Sequence, residues 1–301
     1  MKKYLFSIAL ITGLAVTSIA QRTPQLSPGA SIMQTVGVTD FTVKYSRPSL
    51  KGRTVFGDNS LLAPYNQLWR TGANMPTTFE SSTEFIFGGR TVPAGKYALL
   101  SIPSGGAWTV ILNKNYTQGT ETYKQADDVA RISVAPQSAE FNETFDIRFS
   151  NITDSTANFI LSWSSVSVSV PLLVNTQDLT LTALNKAVAE KPEDVAVLQS
   201  TAGYLASKGK DLPQALALVD KAIGLKESFS NLWLKAQILG KLGKNAEALP
   251  VAQRALALGA SSGEASYSFF KGQIEKGIAE FQAKIASDKP AVSGAKGKKK
   301  K

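Results

Sequence analysis

Residues 96–113 read KYALLSIPSGGAWTVILN, two runs rich in strand-forming side chains joined by Pro103-Ser104-Gly105-Gly106. Short runs closed by turn residues predict a hairpin, because glycine supplies the backbone freedom that a tight reversal needs. The same pattern extends in both directions. Upstream, Phe41, Val43 and Tyr45 alternate with polar neighbours, and TEFIF at 83–87 meets Gly88-Gly89 and residues 90–92 as a second hairpin. Downstream come VARISVA, FDIRFSNI, NFILSWS and VSVSVPL; in the last, Val166, Val168 and Val170 share one face and Ser167 and Ser169 the other. Many short strands with no helical period between them predict an antiparallel β-sandwich or barrel over residues 22–174.

After Leu173 the period becomes helical and the sequence repeats. LNKAVAEKPED, VDKAIGLKES and AQRALALGAS align on Ala187, Ala222 and Ala255, at spacings of 35 and 33. Ala215 and Ala248 recur at 33, as do Gly203 and Ala236, with Gly209 and Gly243 between helices. Small side chains at such intervals let paired helices approach closely, which predicts a tetratricopeptide-like array of six helices over residues 176–288. Tyr204, Phe229, Trp233, Phe269 and Phe270 are assigned to its inter-helix core. The expected fold class is therefore α+β as two domains, in keeping with a chain of 301 residues that is 43% hydrophobic and 19% charged.

The first twenty residues, MKKYLFSIALITGLAVTSIA, join two lysines to an apolar run ending in small-x-small, the form of a cleaved signal peptide over 1–20. No later apolar run is long enough for a transmembrane segment. Cysteine is absent, so there is no disulfide framework, thiolate nucleophile or lipidated N-terminal cysteine. These features predict an exported protein, periplasmic or extracellular in a Gram-negative bacterium. The formal charge of +10 does not predict a nucleic-acid partner: Lys2, Lys3 and the five lysines of residues 296–301 leave only +3 for the rest. The tail over 289–301 is expected to be disordered and solvated.

Histidine is also absent, which excludes Ser-His-Asp catalysis, histidine metal sites and an imidazole proton shuttle. Gly259-Ala260-Ser261-Ser262-Gly263 fits the nucleophile-elbow spacing but lies between two predicted helices with no base to activate the serine. Glu80 and Glu84 on an extended strand lie roughly 13 Å apart, beyond the ~9.5 Å reach of paired catalytic carboxylates. Glu140 and Glu143 are read as a polar loop ahead of a strand. Asp127, Asp128 and Asp154 form no calcium loop. No cofactor, metal or catalytic residue is expected.

Two segments carry an unusual mixture: YSRPSLKGRTVFG at 45–57 and APYNQLWRTGANMPTT at 63–78. With the Gly-Gly strand pair, VPAGKYALLSIP and WTVILNK, they resemble domain-of-unknown-function family 2911, exported β-rich proteins found mainly in Bacteroidetes and their relatives. The resemblance covers about residues 26–172. It implies fold and address but no activity, since the family has no established site. Physically, Arg47, Lys51, Arg53 and Arg70 offer cationic donors, Tyr45 and Trp69 flat faces, and Asn74 an amide, a set suited to a polar ligand or glycan. The same residues equally suit a structural corner, with Trp69 plugging the fold and arginines bonding loop carbonyls. The leading expectation is a non-catalytic envelope protein whose helical array binds a protein partner. Polar-ligand or glycan binding at the arginine/tryptophan cluster is the second, and a histidine-free carboxylate hydrolase the third.

Overall fold

The computed structural model describes residues 23–288. The expected signal peptide and lysine-rich tail lie outside the described residues. The chain divides into two compact units between Thr176 and Gln177, the first built of strands and the second of helices.

The strands, in chain order, are β1 (Gly29–Val36), β2 (Thr39–Ser46), β3 (Phe56–Gly57), β4 (Ala63–Pro64), β5 (Thr77–Ser81) and β6 (Phe85–Phe87). They continue with β7 (Arg90–Val92), β8 (Gly95–Ile102), β9 (Trp108–Asn113), β10 (Asp128–Val134), β11 (Gln137–Ser150) and β12 (Thr156–Leu173). One antiparallel sheet runs β1-β2-β5-β8-β9-β10 and a second β11-β12-β6-β7, while the short β3 and β4 pair in parallel with each other. Both expected hairpins form. Gly88 and Gly89 reverse the chain at positive φ between Phe87 and its partner Arg90, and residues 103–107 join β8 to β9. The inner faces of the sheets meet through aromatic rings: Phe41 on Phe85 at 5.2 Å and Phe79 on Phe159 at 5.2 Å. Edge-on and tilted pairs of this kind add to the area that they bury.

Strand β12 changes phase midway. Phe159, Leu161 and Trp163 point inward at odd positions, whereas Val168, Val170 and Leu172 point inward at even ones. The switch occurs at Ser164, a non-glycine residue at φ 53°, beside Ser165, which is exposed. Opposite it, β11 carries two successive bulges, because its partners run Ser138↔Val166, Asn142↔Ser164 and Asp146↔Ser162. Bulges bend a strand and re-aim its side chains. They also correct the expectation of a loop at 140–143: Glu140 and Glu143 are exposed residues of β11. The extra residues had disguised the alternation that marks a strand.

The helices are α1 (Thr176–Glu190), α2 (Val195–Lys208), α3 (Leu212–Leu225), α4 (Phe229–Lys241), α5 (Asn245–Ser262) and α6 (Tyr267–Ser287). Asp194, Asp211 and Ser228, seventeen residues apart in turn, cap α2, α3 and α4 by accepting from backbone N–H groups two or three residues on. Consecutive helices from α2 onward pack on one another, and α4 also touches α2 and α6. The contacts centre on small residues: Ala215, Ala222, Ala236, Ala248, Ala252 and Ala255 are all fully buried. Ala187 is only half-buried on α1, a helix with no buried residue. Phe229 and Trp233 are core, as expected, but Phe269 is 78% exposed and Phe270 37% exposed. The first turn of α6 instead turns Tyr267 inward, its ring 5.5 Å from that of Phe229. Among the described residues no helix is long and apolar enough to cross a membrane.

Candidate functional site

The segment after β2 leaves the first sheet and pairs with the bulged part of β11. The Tyr45 hydroxyl accepts from Ile147 N at 3.1 Å and donates to Ile147 O at 3.4 Å. Arg47 donates through Nε to Phe145 O and through its guanidinium to the Asp146 carboxylate, each at 3.0 Å. Phe145 N then donates to Pro48 O, the Ser49 and Thr144 hydroxyls meet at 3.1 Å, and Leu50 N donates to Glu143 O. Lys51 N donates to the Glu143 carboxylate at 2.8 Å, while its own side chain is exposed. Arg53 folds back onto Leu50 O and Ser49 O, both at 2.8 Å. A strand that crosses from one sheet to the other makes a corner, and buried backbone groups at a corner need partners. Tyr45, Arg47, Lys51 and Arg53 belong to this stitching. Burial raises the Tyr45 phenol above its ordinary value; the Ile147 N–H opposes the rise, Asp146 reinforces it and Arg47 opposes it.

Trp69 points inward. It is 6% exposed, stacks on Trp163 at 5.8 Å and meets Phe145 edge-on at 5.1 Å. Its indole N–H donates to Gly72 O at 3.0 Å, and its backbone exchanges both hydrogen bonds with Ser101 on β8. The turn that follows closes on itself. Arg70 donates to Asn74 O, and Asn74 donates its amide to Ser27 O and the Ser46 hydroxyl. Gly72 sits at φ 148°, where an added Cβ would come within 3.0 Å of Ser46 O. Only glycine fits that conformation beside that carbonyl. Tyr45 and Trp69 therefore present no open face for stacking, and the arginines are engaged with carbonyls or Asp146.

Residues 27–172 match the model of the family described as Protein of unknown function (DUF2911). No curated protein matches the chain. The match to DUF2911 takes in the whole corner, from Ser27 through the Arg47 and Trp69 segments to Leu172 in β12. Its distinctive composition thus coincides with the place where the two sheets are joined.

Two neighbouring depressions open at this corner of the matched region, of about 200 and 460 Å³, and share Phe56, Tyr65 and Val166. Arg53, Glu143 and the exposed Phe141 line the larger; Gln137, Ser138 and Ser165 line the smaller. Of these only Arg53 was a candidate from sequence. Phe141 was hidden in the supposed loop, and its one signal was a large aromatic between two glutamates. Within the helical unit a groove runs along α2, α4 and α6, formed by two depressions of about 410 Å³ each that share Trp233, Gln237 and Gln273. Gln199 extends one end and Lys241 and Lys284 the other. A fifth hollow of about 510 Å³ lies beside Lys44, Met75 and Lys96. None of these five holds two carboxylates, so two-carboxylate hydrolysis has no cleft among them. Among the described residues no three acidic, cysteine or histidine side chains gather as a metal site.

Proposed function

We propose that this is a non-catalytic exported protein of the bacterial envelope, in which a β-sandwich stitched by its arginine and tryptophan corner carries a tetratricopeptide-like module that binds a protein partner. The observation that carries the reading is the groove of the helical unit. Glutamines from three alternate helices, Gln199, Gln237 and Gln273, line it in succession. Amide side chains spaced along a groove can bond the backbone of an extended chain regardless of its sequence. Trp233 and Phe270 supply apolar floor, and the seventeen-residue cadence of the helix caps supports the repeat. Among the described residues no acid pairs with Lys241 or Lys284, and Lys276 faces Glu280 at 3.9 Å, so the occupant is an extended segment with acidic side chains.

Export follows from the leader-like residues 1–20, and predicts a mature chain beginning at Gln21, which N-terminal sequencing of the secreted protein checks. The groove is tested with a displayed random-peptide library selected against the full chain. Acidic, extended peptides should be enriched, and Lys241→Glu combined with Lys284→Glu should release them. Enrichment without acidic bias, or peptides retained by the double variant, refutes the reading.

A further inference from the structure

We infer that the paired depressions at the corner of the β unit form a binding cleft for a neutral saccharide. This site belongs to the β unit and does not use Trp69. Its floor is aromatic and firm: the Phe56 ring packs edge-on against Trp108 at 4.8 Å, and Tyr65 adjoins it in both depressions. Phe141, 63% exposed, stands on a bulge of β11 at the rim. An exposed phenylalanine within a run of polar residues is a flat apolar surface left open to the cleft, and the C–H faces of sugar rings are the polar-ligand surfaces that stack on such rings.

The polar groups have the matching character. Arg53 is held by the Leu50 and Ser49 carbonyls, and the Glu143 carboxylate by Lys51 N, so one cation and one anion are fixed in place before any ligand arrives. Among the described residues Gln137, Ser138 and Ser165 find no side-chain hydrogen-bond partner, which leaves an amide and two hydroxyls to bond ring hydroxyls. A balanced pair of charges disfavours a phosphate or polyanion and suits a ligand that both donates and accepts hydrogen bonds. The larger volume, about 460 Å³, falls in the range of small-ligand pockets, and with the adjoining 200 Å³ it fits one or two sugar rings. The positive-φ Ser164 and the bulges opposite it create the opening, a placement shared by many binding sites.

The test is titration of the full chain with hexasaccharides of β-1,4-glucose, β-1,4-N-acetylglucosamine, α-1,4-glucose and β-1,3-glucose, read by tryptophan fluorescence, since Trp108 borders the cleft. At least one should bind saturably. Phe141→Ala, at an exposed position that leaves the circular dichroism unchanged, should weaken that binding about tenfold, the worth of one lost aromatic stack. Arg53→Gln should weaken it as well, whereas Phe270→Ala in the helical unit should not. Binding of none of the four sugars, binding of inorganic phosphate in their place, or affinities untouched by Phe141→Ala would each overturn the assignment.

Discussion

Phe41, Phe79, Phe85, Phe145, Trp69 and Trp163 meet at the centre of the β unit, whereas Ala236, Ala248, Ala252 and Ala255 meet in one core cluster of the helical unit and Ala202, Ala206 and Ala215 in another. Two sheets stand about 10 Å apart and need large side chains to fill the space between them. Helix axes 8–10 Å apart, roughly, already bring backbones close, and small residues let them approach the lower limit. The two units should therefore fail in opposite ways: the first when a side chain is cut back, the second when one is enlarged.

The largest effect is expected at Trp69. Trp69→Ala removes a ring packed on Trp163 and Phe145 and unpairs Gly72 O, and should cost about 3–5 kcal/mol. Denaturant unfolding followed by near-ultraviolet circular dichroism measures it, and a loss under ~1 kcal/mol would contradict a core position. In the helical unit Gly277 faces the Trp233 ring, and a Cβ there would collide with it. Gly277→Ala should thus destabilise by about 1–3 kcal/mol despite the better helix propensity of alanine. Gly272 on the same helix has nothing near it, so Gly272→Ala should stabilise by about 0.5–1 kcal/mol. Thermal melts in the far ultraviolet compare the two; if both variants stabilise, close packing does not govern this unit.

The smallest effect concerns the stitching. Tyr45→Phe leaves Ile147 without its hydroxyl partner, at a cost of about 1 kcal/mol near neutral pH. Because burial raises the folded phenol, its contribution is complete below the unfolded value near 10 and is lost as pH rises through the folded value. Stability should fall in alkali, and less steeply in Tyr45→Phe. The slope should not vanish, since burial raises Tyr97 and Tyr123 too. Denaturant midpoints across that range decide it; identical slopes for parent and variant would remove Tyr45 from the account.

Much of this fold is local and could be read from local signals. Gly88-Gly89 and residues 103–106 announce their hairpins, and the recurring alanines with Gly209 and Gly243 between them announce the helices. The candidate site depended on something else. Whether Tyr45, Arg47 and Trp69 turn inward is decided by pairing with residues 143–147 and with Ser101, distant in sequence and invisible to any window of a few residues. The bulges of β11 compounded this, since they broke the alternation around Phe141 and made a strand look like a loop. Composition correctly marked the corner as unusual but could not say which of its aromatics faced the protein and which faced solvent.

Ser164 makes β12 a strand written in two frames. A single residue removed from an ordinary strand turns everything beyond it inside out. In β12 the extra residue is already present, so removing Ser165 would restore one frame, with Trp163, Val168, Val170 and Leu172 on one face of a regular strand and no irregularity left opposite the bulges of β11. Substituting Ser165 in place, on the exposed side, leaves the frame untouched. For the fold, what this position encodes is length rather than side-chain identity, and the pairing of β12 with the bulged β11 depends on that count.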